Sequence, residues 1–482
     1  MNRSQEIVLG VDSSTQSTKV VAVDLESGTV VSEGRATHTG ADTQDPTDWW
    51  SALETAVHVA VTGEMNVRGI AVAGQQHGFV TLDVEGDPVR PAPLWNNVSS
   101  APDAERLNEQ ANFAAAVGSR LVASFTISKL AHLARTSPEE LARVNAICLP
   151  HDYLNYRLTG SLTTDRSEAS GSGWWSPAAG EVHRDLLALA AGEPFAHRVQ
   201  VPTVLGPNEA AGALTESAAA ALGLPAGIPV GPGAGDNAGA ALSIGATQAE
   251  LCISLGTSGV ATAVSGTPTH DPSGEVAGFA DATGAYLPLT CMLNCTRVVG
   301  SIAELFGQTV VEALDSAGQI EPGADGLLLL PYLSGERTPN LPYATGLISG
   351  LRGGNLRSGL WLRAAVDGVA AGLAYCQEAL ERLGICKEIV TLVGGGSQHP
   401  TWQQSIADAT GLPVQVRGGG EHVARGAAVQ IAAIVRNEPV AQLAEIWRPE
   451  VIATSTPRKS ARDAFRLAER RELIEAMKSE SR

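Results

Sequence analysis

Two short turns rich in small hydroxyl residues recur in this chain, each held between apolar β-branched runs, and that repetition restricts the fold more than any other feature. The first, Asp12-Ser13-Ser14-Thr15-Gln16-Ser17-Thr18-Lys19, separates apolar residues 7–11 from 20–23. The second, Ser254-Leu255-Gly256-Thr257-Ser258-Gly259, separates 251–255 from 260–264. Apolar runs of this length on either side of a polar turn read as β-hairpins. Hairpin tips built from Gly, Ser and Thr present backbone N–H groups, and such nests hold phosphate oxygens. An acidic residue at the tip, here Asp12, reaches a water of a bound Mg²⁺. Either turn alone reads most simply as an ordinary turn. The pair predicts a nucleotide clamped between two related domains.

A chain of 482 residues exceeds one ordinary core. Two domains are expected, 1–245 and 246–482. The formal net charge of −18 argues against a nucleic-acid partner, which needs a basic face, and points to small molecules. Amides and a metal ion neutralise phosphate locally whatever the overall sign. Six cysteines (Cys148, Cys252, Cys291, Cys295, Cys376 and Cys386) are scattered, several within apolar runs, as in reduced cytoplasmic proteins. Cys291 and Cys295 lack the second Cys or His pair of a tetrahedral site, so no zinc is assigned. The polar opening residues run straight into a strand without a signal peptide, and no apolar run approaches the ~20 residues of a membrane helix. A soluble protein in the cytoplasm, with no membrane partner, is the expectation.

Residues 49–61 carry helical spacing, and a strand over 67–73 delivers the turn Gly74-Gln75-Gln76-His77-Gly78. Together with Trp95 farther on, this places polar and aromatic groups at strand ends, as a sugar pocket requires. Taken singly, His77 is more often a structural histidine and Trp95 more often core. Residues 225–246 are rich in Gly, Pro and Ala and lead through Gly233-Ala234-Gly235-Asp236-Asn237 into a helix of small residues. The domain junction, a candidate hinge, is placed just after it. A helix over 360–383 and a strand over 388–393 precede Gly394-Gly395-Gly396 and another helix, an arrangement in which a nucleotide lies against bare backbone. Rossmann and Walker A spacings are both absent. The charged tail beyond Pro457 reads as a solvated helix that opens with Arg458, Lys459 and Arg462.

Asp236 has two readings. One is a turn or N-cap residue. The other is a general base that accepts the proton of a substrate hydroxyl attacking the γ-phosphorus of ATP, with Asn237 holding a neighbouring hydroxyl. Closure of two domains then excludes water, itself a competent nucleophile.

In this order, the first loop, the 74–78 turn, the 233–240 segment, the second loop, Tyr332-Leu333-Ser334-Gly335-Glu336-Arg337-Thr338-Pro339 and residues 393–408 resemble the FGGY carbohydrate kinases. The likeness spans nearly the whole chain and is strongest toward the members that phosphorylate D-xylulose. It implies an α/β fold of two ribonuclease-H-like domains, the actin and Hsp70 ATPase architecture, with sugar and ATP meeting in the cleft. It also implies ATP and Mg²⁺ as cofactors, a small ketose as partner and a possible homodimer. On this likeness Asp236 is the catalytic base and Asp12 supports Mg²⁺ through water, with Asp236 a possible second metal contact. Gln76, His77, Trp95 and Asn237 meet the sugar. Ser13, Ser14 and Thr15 join Asp12 in the first phosphate loop, Gly256, Thr257 and Ser258 form the second, and Gly394, Gly395 and Gly396 lie on the adenosine side.

Two departures stand out. Relatives commonly carry an acid and then an arginine after Trp95-Asn96, whereas this chain has Asn97-Val98-Ser99, so a fork-shaped donor near the sugar is missing. Leu360 stands where a polar residue usually opens the following helix. The implied reaction is phosphorylation of D-xylulose. The alternatives are another ketose or polyol (ribulose, a tagatose-like sugar, arabitol, glycerol) and, in a different class, a non-kinase ATPase on the same fold.

Overall fold

The computed structural model describes residues 5–480, so part of the polar opening, residues 1–4, lies outside the described residues. In the first half, strands β1 (Gln5–Ser13), β2 (Ser17–Asp24) and β3 (Val30–Thr37) lead to helix α1 (Pro46–Ala60) and strand β4 (Met65–Gly74). Helices α2 (Thr126–Thr136) and α3 (Arg166–Ser170) follow, then the short strands β5 (Pro229–Val230) and β6 (Ala234–Gly235) and helix α4 (Asp236–Ser243). The second half contains β7 (Glu250–Leu255), β8 (Gly259–Ala263), β9 (Leu289–Met292), α5 (Thr296–Leu305) and α6 (Ser358–Glu381). It continues through β10 (Ile389–Val393), α7 (Pro400–Thr410), β11 (Val414–Arg417), α8 (His422–Arg436), β12 (Val451–Ser455) and α9 (Leu467–Glu480).

The two sheets share one topology. In the first the spatial order is β5-β4-β1-β2-β3, with the strand Gly212–Ala213 outside β5 and β6 joining the end of β4. The pairs β1/β2 and β2/β3 are antiparallel, while β4 runs parallel to β1. The second sheet repeats this as β11-β10-β7-β8-β9, with β12 added antiparallel at the β11 edge. Three antiparallel strands followed by parallel neighbours of the first is the ribonuclease-H-like order, so the expected pair of related α/β domains is present. Both expected hairpins are there as well, with Val11 opposite Val20 and Leu255 opposite Gly259.

Alternation along β1 explains how its sheet is covered on both faces. Ile7, Leu9 and Val11 point into a cluster with Trp49, Leu53 and Ala56 of α1. Val8 points the other way, into a cluster with Ala424, Ala427 and Ala428 of α8. Helix α1 starts where Asp45 caps Thr47 N and Pro46 takes the first helical position, and its stripe Trp49, Leu53, Ala56, Val57 and Ala60 is buried. Helix α8 belongs to the second half of the chain yet lies on the first sheet. It approaches so closely that a Cβ on Gly10 would stand 2.0 Å from Ala424 O. It also crosses α4 backbone to backbone, since a Cβ on Gly426 would stand 1.9 Å from Gly239 O.

The tail differs from its expectation as a solvated helix. Arg458 pairs with the buried Asp408 at 2.7 Å. On α9, the side chain of Arg470 is buried and donates to Leu329 O and Phe465 O, and Ile474 packs with Leu328, Leu330 and Tyr332. Its charges were legible, but the apolar seam beneath them depends on partners more than 100 residues away. All six cysteines are free, four of them buried, with Cys291 half-buried and Cys386 exposed. No helix among the described residues is long and apolar enough to cross a membrane.

Candidate active site

Three adjacent strands end together in the first domain and gather its candidate residues. Asp12 and Ser13 at the end of β1 pair with Ala73 and Gly74 of β4, and on β4's other side Ala234 and Gly235 of β6 pair with the same two residues. Asp12 and Asp236 are thereby two strand spacings apart, roughly 10 Å across the backbone, on either side of the turn that follows β4. The carboxyl ends of sheet strands are where α/β folds place ligands.

Asp236 is the first residue of α4, and its side chain does not cap the helix as an N-cap residue would. Its Oδ1 accepts from Asn237 N at 2.7 Å and Asn237 Nδ2 at 2.8 Å. Oδ2 is left open. Asn237 thus has its amide donor engaged on Asp236, while its side-chain oxygen accepts no hydrogen bond among the described residues. The segment before Asp236 is held from the other half of the chain, because Gln430 of α8 bonds both Gly233 N and Gly233 O at 2.8 Å. Burial pushes the Asp236 carboxyl up to about 6, and the nearby charge of Asp12 adds to the rise. Asp12 is itself buried and pushed up to about 6 by burial, against a hydrogen bond from Ser14 Oγ at 2.6 Å and the charge of Lys19.

The turn after β4 carries Gln76 and His77. Gln76 lies flat against the strand that leads to Asp236, since a Cβ on Gly235 would stand 2.6 Å from Gln76 Nε2. That amide nitrogen donates to Ser167 O at 3.2 Å. His77 adopts φ 67°, a left-handed conformation costly for a non-glycine residue. Its carbonyl is clamped by Lys129 Nζ at 3.0 Å and Thr126 Oγ1 at 3.3 Å, both from α2. Its ring packs against Phe125 at 4.8 Å and against Phe279, from the second half, at 5.8 Å. His77 Nδ1 faces Gly171 O at 2.9 Å, which requires the proton on Nδ1 and leaves Nε2 as an acceptor. Burial, reinforced by the charges of Arg337 and Lys129, holds His77 down at about 3, so the ring stays neutral.

Thr15 joins the first loop to the aromatic side. Its Oγ1 donates to Gln75 Oε1 at 3.0 Å and accepts from Trp95 Nε1 at 2.9 Å. The Trp95 ring remains 37 % exposed. Ser13 Oγ and Gln75 Nε2 are buried at this tip without partners, two orphan donors suited to an anionic oxygen. The Asn97 to Ser99 stretch closes on itself: Asn97 Oδ1 accepts from Ser99 N and Oγ, and Nδ2 donates to Asp42 at 3.0 Å.

In the second domain, Gly256, Thr257 and Ser258 form the β7/β8 turn, braced by the start of α5 through Thr296 Oγ1 to Gly256 O at 2.6 Å and Cys295 N to Thr257 O at 3.2 Å. Gly394, Gly395 and Gly396 follow β10, the parallel neighbour of β7. Gly394 has φ 87° and sits on Leu255, where a Cβ would meet the backbone at 2.9 Å. Gly395 has open space in place of a Cβ and is exposed. The two stretches form one bare backbone surface at adjacent strand ends.

Several neighbours carried no signal in sequence. Lys129 is buried with only carbonyl partners, and burial pushes its ammonium down to about 7. Glu168 on α3 is fully buried with both carboxyl oxygens unpartnered, and burial beside Asp152, Asp165 and Asp236 holds it well above the usual range. Ser167 Oγ accepts from Gly235 N at 2.9 Å and so fixes the residue before Asp236.

The model of the FGGY family of carbohydrate kinases, N-terminal domain, matches residues 7–243, and that of the C-terminal domain matches 251–434. The xylulose kinase of Streptomyces coelicolor is 44% identical over 452 residues, covering 92% of this chain and 90% of that protein. The xylulose kinase of Streptomyces rubiginosus is 43% identical over 450 residues, with the same coverage of both chains. The crystal structure of xylulose kinase from Bifidobacterium adolescentis superposes with a TM-score of 0.86 at 37% identity, covering 96% of this chain and 99% of that one. With both family domains matched in order across a repeated ribonuclease-H-like fold, the chain belongs to the FGGY family of carbohydrate kinases.

Proposed function

We propose that this protein phosphorylates D-xylulose with ATP, giving D-xylulose 5-phosphate, and that Asp236 is the general base. The observation that carries the reading is the open Oδ2 of Asp236 beside the Gln76–His77 turn, on a carboxyl whose basicity burial has raised to about 6. The names of the relatives supply the ketose. At pH 7 this carboxylate is mostly ionised, yet it is a stronger base than an exposed aspartate. It takes the proton from the attacking hydroxyl as the oxygen closes on phosphorus. The Nε2 acceptor of His77, the carbonyl of Asn237 and the Trp95 ring orient the sugar, and domain closure excludes water.

Phosphate oxygens lie against the two hairpin tips, at Ser13 to Thr15 and Gly256 to Ser258, with adenosine against Gly394 to Gly396. Asp12, buried, and Asp236, half-buried, form no ion pair among the described residues, Lys19 being paired with Glu421 at 2.6 Å, and two such carboxylates suit a hard divalent ion. Asp12, through water, and Asp236 would hold Mg²⁺, which when bound would offset the charge of the phosphate oxygens. Residues 1–245 serve as the sugar-side domain and 246–482 as the ATP-side domain, with α8 reaching back between them.

The test is ADP release with Mg²⁺-ATP across D-xylulose, D-ribulose, L-ribulose, D-tagatose, D-fructose, D-arabitol and glycerol, with a no-sugar control. Clear preference for D-xylulose is expected. Preference for another member relocates the substrate, and hydrolysis indifferent to sugar overturns the kinase reading.

A further inference from the structure

The turn that carries His77 is held by a buried lysine whose side chain has no part in the assignments above. Lys129 and Thr126 stand three positions apart at the start of α2 and so share one face of the helix. Both side chains reach the same atom. Lys129 Nζ donates to His77 O at 3.0 Å and Thr126 Oγ1 donates to it at 3.3 Å, which fills both lone pairs of that carbonyl. Lys129 Nζ also donates to Ser124 O, just ahead of the helix. The carbonyl belongs to the peptide that follows His77, so the two bonds fix the plane about which this left-handed residue turns. Pro150 leaves that peptide no slack on its other side, since a Cβ on Gly78 would stand 2.3 Å from Pro150 Cγ.

The same stretch of chain fixes the ring. Phe125, the residue that precedes α2, packs on the imidazole at 4.8 Å. Ile127 N donates to Ser172 O at 2.9 Å, next to Gly171, whose carbonyl takes the proton of His77 Nδ1 at 2.9 Å. Backbone and ring are therefore both held from α2. The one polar atom of the side chain left over is Nε2, which makes no hydrogen bond among the described residues.

This mount is costly. An ammonium only 3 % exposed, with carbonyls as its partners and no carboxylate among the described residues, lacks the anion that usually accompanies a buried charge. It also lies at the positive end of a helix, where a cation is disfavoured. The left-handed backbone of His77 adds to the cost. A neutral donor beside Thr126 would satisfy the same carbonyl. Strain gathered at one residue, with an acceptor open at its tip, marks a side chain held for a ligand.

We propose that Lys129 is a positioning residue for the sugar: by clamping the carbonyl of His77 it keeps that residue left-handed and aims Nε2 at a hydroxyl of the ketose. The inference rests on the reading of His77 as a sugar contact. Lys129 itself touches no reacting group.

Wild type, Lys129→Met, His77→Ala and the double variant are compared by kcat and KM on D-xylulose and by KM for ATP, with thermal melts to establish folding. Met keeps the length of the side chain and removes its donors and charge, so Tm is expected to hold or rise. KM for D-xylulose should rise in Lys129→Met and kcat/KM should fall about 10–100-fold, with KM for ATP unchanged. In the His77→Ala background the same substitution should cost less than about twofold, because the clamp has no ring left to aim. Thr126→Val, which removes the other donor to the carbonyl, is the second variant should Lys129→Met not fold, and its loss should vanish in the same background. Equal losses with and without the His77 ring mean that Lys129 supports the fold at large and overturn the assignment, as does an undiminished Lys129→Met. A wild type inactive on D-xylulose, or a His77→Ala with unchanged KM for it, overturns the parent reading and this one with it, and either is recognised before Lys129 is changed.

Discussion

At the scale of single residues, the site sets function against stability. The carboxyls of the buried Asp12 and the half-buried Asp236 are both raised to about 6 from an ordinary value of 3.8 by removal from water. Between those two values the folded protein holds protons that the unfolded chain has released, so the stability contributed by each site grows as pH falls through the window, and the ionised form costs stability at pH 7. Removing the charge at one site should therefore help the fold while harming the chemistry. Asp236→Asn is expected to raise Tm at pH 7 by on the order of 2–4 °C and to lower kcat about 10²–10⁴-fold. In the wild type, kcat/KM should fall as pH drops through about 6, since the base must be ionised. His77, whose protonation is pushed down to about 3, adds no limb of its own above that pH. A profile that stays flat from pH 8 to 5, or an Asn variant with undiminished kcat, removes Asp236 from the role of base.

At the scale of elements, what could be read from the sequence and what could not divide along a physical line. The two hairpins, α1, β4 and the glycine turn after β10 were legible because short-range pattern creates them: apolar runs around polar tips, helical spacing over 49–61, a run of glycines at the end of a strand. Asp236 was found because a lone acid among glycines at a helix mouth is conspicuous. Lys129 and Glu168 were not found as site neighbours, since each sits in locally unremarkable sequence and gains its meaning from partners brought in by the fold. Helix α9 is the same lesson in structural form. Its charged residues suggested a solvated helix, yet Ile474 is buried against Leu328, Leu330 and Tyr332, and Lys478 pairs with Glu275 at 3.0 Å. Ile474 is worth about 1.5–3 kcal/mol on burial, and the half-buried Leu467 adds to it. Ending the chain at Arg466 should then lower Tm by roughly 6 °C or more and loosen the loop that runs from Tyr332 to Arg337. Thermal melts with limited proteolysis of the second domain read both effects, and a truncated chain that melts with the full-length protein would make α9 an ornament.

At the scale of the whole molecule, the two domains are joined through helices more than through a linker. The sequence placed a candidate hinge in the Gly- and Pro-rich stretch near residue 245. It gave no hint that α8, nearly 200 residues later, lies on the first sheet, because a helix rich in alanine has no face that names its partner. The structure places α8 against β1 at Gly10, against Gly233 through Gln430, and across α4 at Gly239 and Gly426. Helix α4 begins at Asp236, so the crossing fixes the position of the base, and any rotation of one domain against the other has to pass through this contact of bare backbones. A single methyl group there tests the coupling. In Gly426→Ala the new Cβ would stand 1.9 Å from a backbone oxygen that no rotamer can move aside, a misfit worth about 1–3 kcal/mol. Tm should fall, and because α4 is displaced at its origin, kcat should fall more than the KM for ATP rises. Small-angle scattering should record a smaller compaction on adding sugar than in the wild type. Gly353→Ala is the control, since no atom lies within 4 Å of where its Cβ would stand. If Gly426→Ala matches that control in melting, turnover and compaction, the helix crossing is only a packing detail and the domains move about some other axis.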